Sequence, residues 1–172
     1  MKKNYLIYYS NVSQRDEWFS TLMGYANKTK IGIVSNMLPI IGNLSVMENI
    51  LIAAFYHHRT SYKEAVKLAG SDLKRFNMEQ HMDSRSNDLS DFERFLVKYL
   101  QVRYLCPEWT VFISPRRMYV AEDEERFHEF LRCEDLQKSV IIEHASNKYL
   151  FDDVPEYKEK DYDSWVTQDL RI

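Results

Sequence analysis

The sequence predicts a three-layer α/β fold with a partly parallel sheet and a helical lobe inserted between two of its strands. Three observations carry this. Short apolar, β-branched or aromatic runs alternate with longer helical patterns, the arrangement that gives parallel strands joined by crossover helices. The stretch from about 45 to 105 interrupts the alternation and is almost all helix. Three Ser-x-x-Glu capping boxes, at Ser45/Glu48, Ser61/Glu64 and Ser90/Glu93, mark where its helices begin.

Taken in order, "YLIYYS" at 5–10 reads as the first strand. Ser13, with Asp16 three positions on, is expected to open a helix whose Trp18, Phe19, Leu22 and Met23 share a face. "KIGIVSN" at 30–36 has the length and content of a buried strand. Pro39 and Gly42 mark a loop, and the Ser45 box then starts an apolar helix. The Ser61 box starts another, expected to run to about Leu68, followed by a polar, irregular region to Asp88. After Ser90, the residues Phe92, Phe95, Leu96, Tyr99 and Leu100 form a helical stripe that must stop before Pro107. "WTVFI" at 109–113 is a strand, and 121–136 is a helix with acids in its first turn, where the helix dipole favours them. Strands are expected at 139–144 and at 148–151.

The 172 residues suit one domain, and 45% hydrophobic with 28% charged is a globular composition. Only four glycines are present, few for a chain that must wrap a phosphate. The net charge is −3, and the segment 152–172 holds seven acids against three bases. No basic face is visible, so nucleic acid is not an expected partner. Cys106 and Cys133 lie far apart without metal-type spacing and read as reduced thiols of a cytosolic protein. His57–His58 reads as the wet end of a helix, so no metal is expected, and no cofactor either. The N-terminus lacks a signal-peptide profile, and no apolar run approaches the roughly 18 residues of a membrane span. A link to the membrane is therefore expected to run through a partner, without direct insertion. Residues 1–153 are assigned to the domain and 154–172 to an acidic tail. "EYKEKDYDSW" alternates charge and lacks an apolar face, so the tail is expected to add little to the core, with Trp165 and Leu170 its only candidates for docking.

The order of elements over roughly 5–151 resembles the nucleotide-binding domain of ATP-binding-cassette (ABC) transporters, a P-loop NTPase fold. "KIGIVSN" looks like the family's strand ending in the Q-loop glutamine, with Asn36 at that position. "LPIIGNLSVMENILIAA" is similar to the segment that follows. "LSDFE" stands where the family has LSGGQ, "WTVFISP" where it has Walker B and the catalytic glutamate, and "VIIEH" where its switch histidine ends a strand, at His144. The departures all point the same way. No G-x-x-x-x-G-K-[ST] occurs, and the chain reads as starting at the strand after the family's phosphate loop, truncated at the N-terminus. Ile113 stands where the magnesium-orienting aspartate would be, and an aliphatic side chain cannot hold a hydrated Mg²⁺. Ser114 replaces the glutamate, and serine is a poor base. Asp91 and Phe92 replace the signature glycines; a carboxylate there repels phosphate, and a phenyl ring is expected to block close backbone approach. Only Ser90 and His144 survive as identities.

Plainer roles exist for the remnants. Ser90 is explained by its capping box, His144 by capping or exposure at a strand end, Asn36 and Pro39 by a turn, and Arg116–Arg117 as a solvated pair. The resemblance implies a catalytically inactive subunit, a pseudo-ATPase of a transport complex. It would be cytoplasmic, held at the inner membrane face by a permease or by an intact ABC ATPase, with self-pairing as a further possibility. The family's permease-docking groove would be built here from Asn36, Met37, Leu38, Pro39, Ile40 and Ile41. Two alternatives stand beside this: a degenerate half-site ATPase lending Ser90 and His144 to a partner's nucleotide, and an unrelated α/β binding domain.

Overall fold

A computed structural model describes residues 2–29, 31–57, 61–152, 154 and 156–170. The strands are β1 (Lys3–Tyr9), β2 (Ile31–Ser35), β3 (Trp109–Ile113), β4 (Lys138–His144) and β5 (Lys158–Glu159). The helices are α1 (Val12–Thr29), α2 (Val46–His57), α3 (Tyr62–Arg75), α4 (Asp91–Arg103), α5 (Glu124–Cys133) and the short α6 (Tyr162–Trp165). His57 ends α2, and His58 lies outside the described residues.

The strands form one parallel sheet in the order β2-β3-β4-β1-β5. The strands expected at 30–36, 109–113 and 139–144 are thus parallel neighbours, with Ile33 opposite Val111 and Val111 opposite Val140. Every residue of β2 and β3 is buried, as it must be when helices cover both faces. Alternation along each strand sorts the core. Ile31, Ile33, Val111, Ile113, Val140 and Ile142 face Leu22 of α1 and the C-terminal segment. Val34, Phe112 and Ile141 face the layer of α2 to α5, where Phe95, Tyr99, Phe127 and Phe130 form an aromatic cluster. Gly32 lies where α4 meets the sheet. A Cβ there would stand 2.3 Å from Val102 Cγ1 and 2.9 Å from Pro107 Cγ, so only glycine lets the helix end sit this close.

All three predicted capping boxes form, with Ser45, Ser61 and Ser90 accepting from the amides of Glu48, Glu64 and Glu93. Other expectations shift. α1 begins at Val12 because Asn11 accepts from the Gln14 amide at 3.0 Å while the Gln14 side chain accepts from Ser10 N at 2.7 Å, a reciprocal cap two residues ahead of Ser13. α3 runs past Leu68 to Arg75, carried by the buried stripe Ala65, Ala69 and Leu73. α5 is shorter than 121–136. The run at 148–151 is not a strand: 145–151 is a helical turn capped by His144, with Leu150 and Phe151 buried, and a four-residue apolar run does not distinguish the two. α4 closes the predicted lobe but also lies on the sheet, its Phe95 and Tyr99 rings 6.1 and 6.3 Å from Phe112.

The largest correction concerns the C-terminal segment. Val154, Tyr157, Tyr162 and Trp165 are buried, and Trp165 is 0% exposed. β5 pairs with β1, the Lys160 amide donates to Leu6 O at 2.9 Å, and Tyr162 stacks on Trp18 at 4.2 Å. Asp169 accepts from both Lys3 and Lys160. Val154 and Tyr157 pack into the core on one face of the sheet and Tyr162 and Trp165 into the core on the other, so the chain rounds the sheet edge irregularly and neither helical nor strand periodicity reveals these residues.

Candidate functional site

From β1 the chain crosses by α1 to β2 at one edge of the sheet, whereas from β4 it crosses to β5 at the other. The connections leave adjacent strands in opposite directions, so the C-terminal ends of β1 and β4 form a topological switch point. Parallel α/β sheets bind their ligands at such a switch point. Here it is bordered by Tyr9, Ser10 and Asn11 after β1, Ser114 after β3, and Glu143 and His144 at the end of β4.

These groups are committed to one another. The Tyr9 phenol and the Ser114 hydroxyl share a buried hydrogen bond of 2.8 Å. Ser114 has φ 51° and ψ 53°, a left-handed backbone that costs a non-glycine residue about 1–2 kcal/mol, and its amide donates to Ile142 O at 2.7 Å. Glu143 is 1% exposed and accepts from the amides of Arg116 (3.0 Å) and His144 (2.8 Å) and from the Asn147 side chain (3.2 Å). Three donors are what a buried carboxylate requires. His144 contacts Ser10 O through Nε2 at 3.1 Å, accepts from Ser146 N through Nδ1, and stands edge-on to the Tyr9 ring at 5.3 Å. Arg116 donates to Tyr119 O, and burial, with Glu143 nearby, pushes the Tyr119 phenol above its usual range.

The structure therefore brings Ser114 and His144 together around Tyr9, with Ile113 buried behind them. Ser90, Asp91 and Phe92 belong elsewhere. Ser90 caps α4 and Asp91 pairs with Arg94. Phe92 does not block a surface approach: it is 4% exposed, turned inward against Phe95 and Tyr119 with Arg126 across its ring at 4.3 Å. Burial works to raise the Glu93 carboxyl, but the bonds from Ser90, with His81 and Arg126 nearby, hold it below the ordinary carboxylate range. Among the described residues, no hydrogen bond or ion pair joins Ser90–Phe92 to Tyr9, Ser114 or His144.

The segment after β2 forms a second feature. Asn49, 1% exposed, clamps it, accepting from Ile41 N and donating to Ile41 O, Leu44 O and Ser45 O. Ser35 Oγ accepts from Met37 N, and Lys98 donates to Leu38 O. Burial, with Arg94 adding to it, lowers the Lys98 ammonium from its ordinary value. So held, Asn36, Met37, Pro39 and Ile41 face outward, with Met37 37% and Ile41 44% exposed. Leu38 and Ile40 are half-buried against the core. Beside the segment a cavity of about 400 Å³ runs between α1, β2, α2 and α4, lined by Met23, Ile33, Leu38, Ile52, Val102 and Leu105 among others. Sequence reasoning missed Tyr9, Glu143, Asn49 and Lys98. The available signals were an acid inside the apolar run "VIIEH" and an asparagine inside the apolar α2.

The architecture is that of ABC transporter ATPase domains. The chain is similar to an ABC transporter assigned to the metal-chelate type, in an inward-facing conformation (TM-score 0.67, 13% identity, covering 83% of this chain and 63% of that one). It is similar to the bacterial ABC transporter cassette MJ0796 in a dimeric structure (TM-score 0.66, 16% identity, 86% of this chain and 77% of that one). It is also similar to CbiO1 from Clostridium perfringens, described as part of the ABC transporter complex CbiONQ (TM-score 0.62, 18% identity, 83% and 66%). The chain thus spans less than two thirds of the length of two of these three structures, and at these identities the likeness is one of fold. No protein-family model and no curated protein sequence matches the chain. Among the described residues no helix is long and apolar enough to cross a membrane, and no group of three or more His, Cys, Asp or Glu could hold a metal ion.

Proposed function

We propose that this chain is a non-hydrolysing ABC-ATPase-like subunit that binds a membrane permease, or pairs with an intact ATPase or a second copy of itself, as a structural or regulatory part of a transport complex. The observation that carries the proposal is the β1–α1 turn. A phosphate loop is a strand–turn–helix unit whose glycines expose backbone amides and whose lysine neutralises the phosphates. From the sequence that loop is expected ahead of the first strand. The topology offers β1–α1 itself, which is such a unit at the switch point. Its turn, Tyr9-Ser10-Asn11, has neither glycine nor lysine. Arg15, the first cation of α1, is buried and paired with Asp16. The Tyr9 phenol and the Ser114 hydroxyl are spent on each other in a buried bond, and Ile113 offers no metal ligand.

Docking falls to the clamped segment 36–41 and the cavity beside it. A parallel sheet presents its binding loops at strand ends, and Met37 and Ile41 are apolar where a plain surface turn is polar. Ser90 and His144 do not favour the half-site alternative, since the first is used as a cap and both ring nitrogens of the second are engaged.

Calorimetry of the full chain with millimolar Mg-ATP tests the first half: no saturable heat is expected, and micromolar affinity overturns the reading. Met37→Asp and Ile41→Asp test the second. Both are expected to stay folded by circular dichroism and to lose the partner that the unaltered chain captures from its host cells. Folded variants that keep the partner place the interface elsewhere. Leu38→Asp is a poorer probe, because that side chain also packs inward.

A further inference from the structure

Far from the switch point, at the opposite end of the sheet, the chain runs from α4 into β3 and from α5 into β4. Each junction carries a cysteine. Cys106 precedes Pro107 and β3, Cys133 ends α5, and both side chains are exposed with neither in a disulfide. The two thiols, 27 positions apart by residue number, line one cavity of about 390 Å³. Ion pairs between neighbouring side chains link the two junctions. Arg103 meets Glu134 at 3.6 Å, and Lys138 donates to Glu108 at 2.5 Å. The bases lining the cavity, Arg75, Arg103 and Lys138, are already matched by Asp72, Glu134 and Glu108. The site thus offers a small reagent two exposed cysteines beside bases that are already paired with acids. The backbone at Cys106 belongs to the turn that ends α4. Its φ is 47°, left-handed, and its amide donates to Arg103 O in the turn that ends the helix. Glycine fills such a position without steric cost. Here a thiol occupies it despite that cost.

We propose that Cys106 and Cys133 form a redox-sensitive thiol pair that reacts with low-molecular-weight disulfides and closes an internal bridge. In the first step the thiolate of one cysteine attacks a sulfur of the reagent. The reagent's S–S bond breaks, a mixed disulfide forms on the protein, and one reagent thiol leaves. In the second step the other cysteine's thiolate attacks the protein-bound sulfur of the mixed disulfide and expels the second reagent thiol. The two protein thiols lose two protons and two electrons, and the reagent disulfide is reduced to two thiols. The bridge ties the end of α4 to the end of α5. Leu105, one residue from Cys106, lines the cavity beside segment 36–41, so the modification acts on the rim of that cavity.

The test uses the folded full chain and oxidised glutathione, read by intact mass and peptide mapping without reductant. The expected product is a monomer that has lost two hydrogens, with the two cysteines in one cross-linked peptide pair. Cys133→Ser is expected to stop at a mixed disulfide on Cys106, and Cys106→Ser at one on Cys133. Both sites are exposed, so neither variant disturbs the core. Two stable mixed disulfides on the unaltered chain, a bridge only between chains, or thiols that react only after denaturation each overturn the proposal. None of these outcomes depends on whether nucleotide or a permease binds.

Discussion

Replacing Trp165 by alanine should unfold far more than the last turn of the chain. The indole is 0% exposed and packs edge-on to Trp109 at 5.8 Å, among the side chains of β2, β3 and β4 that face α1. Truncating a buried tryptophan costs about 3–5 kcal/mol. One feature pulls toward the low end: the indole N–H is buried without a partner, a burden that the alanine removes. For a domain of this size each kcal/mol shifts the melting temperature by roughly 2–4 °C, so the expected fall is about 6–20 °C. Thermal and urea unfolding should be followed by circular dichroism and by the fluorescence of Trp109 and Trp18. The two probes should lose signal together, because the residue sits against the strand that carries Trp109. Trp165→Phe is the control. It keeps an aromatic ring and deletes the unsatisfied N–H, so it should fall well short of the alanine effect. A shift below about 2 °C for Trp165→Ala, or a minor early transition that leaves the main one in place, would refute the reasoning and return the segment to the status of a loose tail.

Gly32→Ala should destabilise by about 1–3 kcal/mol through overpacking, since the new methyl meets Val102 and Pro107, and a Val102→Ala partner change should recover part of it; urea midpoints of the single and double variants check this. Burial works to raise the Asp169 carboxyl, but Lys160 and Lys3 outweigh it and hold it below its ordinary value of 3.8. A depressed folded-state value means stability that is present above the unfolded value and lost as pH falls through the folded one. Asp169→Asn should therefore cost about 1–3 kcal/mol at pH 7, and the gap between it and the unaltered chain should close at acid pH, below about 4; urea midpoints at the two ends of that range decide it.

What could be read ahead of the structure follows the reach of each signal. Capping boxes are local and reciprocal, so Ser45, Ser61 and Ser90 were visible as helix starts. Buried parallel strands are apolar along their whole length, so β2 and β3 stood out, and their adjacency followed from the connections. The C-terminal segment was misread because Val154, Tyr157, Tyr162 and Trp165 follow no period: each is placed by the surface it lies on. The candidate site was half legible. Ser114 and His144 could be located by their order after β3 and at the end of β4. That Tyr9 joins them depends on β1 lying beside β4, a pairing between residues more than a hundred positions apart that no local pattern encodes. Phe92 was legible as an aromatic replacing a glycine but not as a core residue, because the direction of a side chain at a helix start depends on what packs over it.

The placement of β1 has a consequence for how the chain is made. It precedes the other four strands of the sheet in the chain, yet both of its neighbours, β4 and β5, follow β2 and β3. At about 5–20 residues per second, the interval between the emergence of β1 and that of β5 is on the order of ten seconds. Throughout it, Ile7 and Tyr9 have no strand to pair with and no Trp165 to cover their face, while β2 and β3 can already meet. The nascent protein thus carries an open apolar strand until β4 and β5 have been made, and its sheet is completed by the strands that come last in its order.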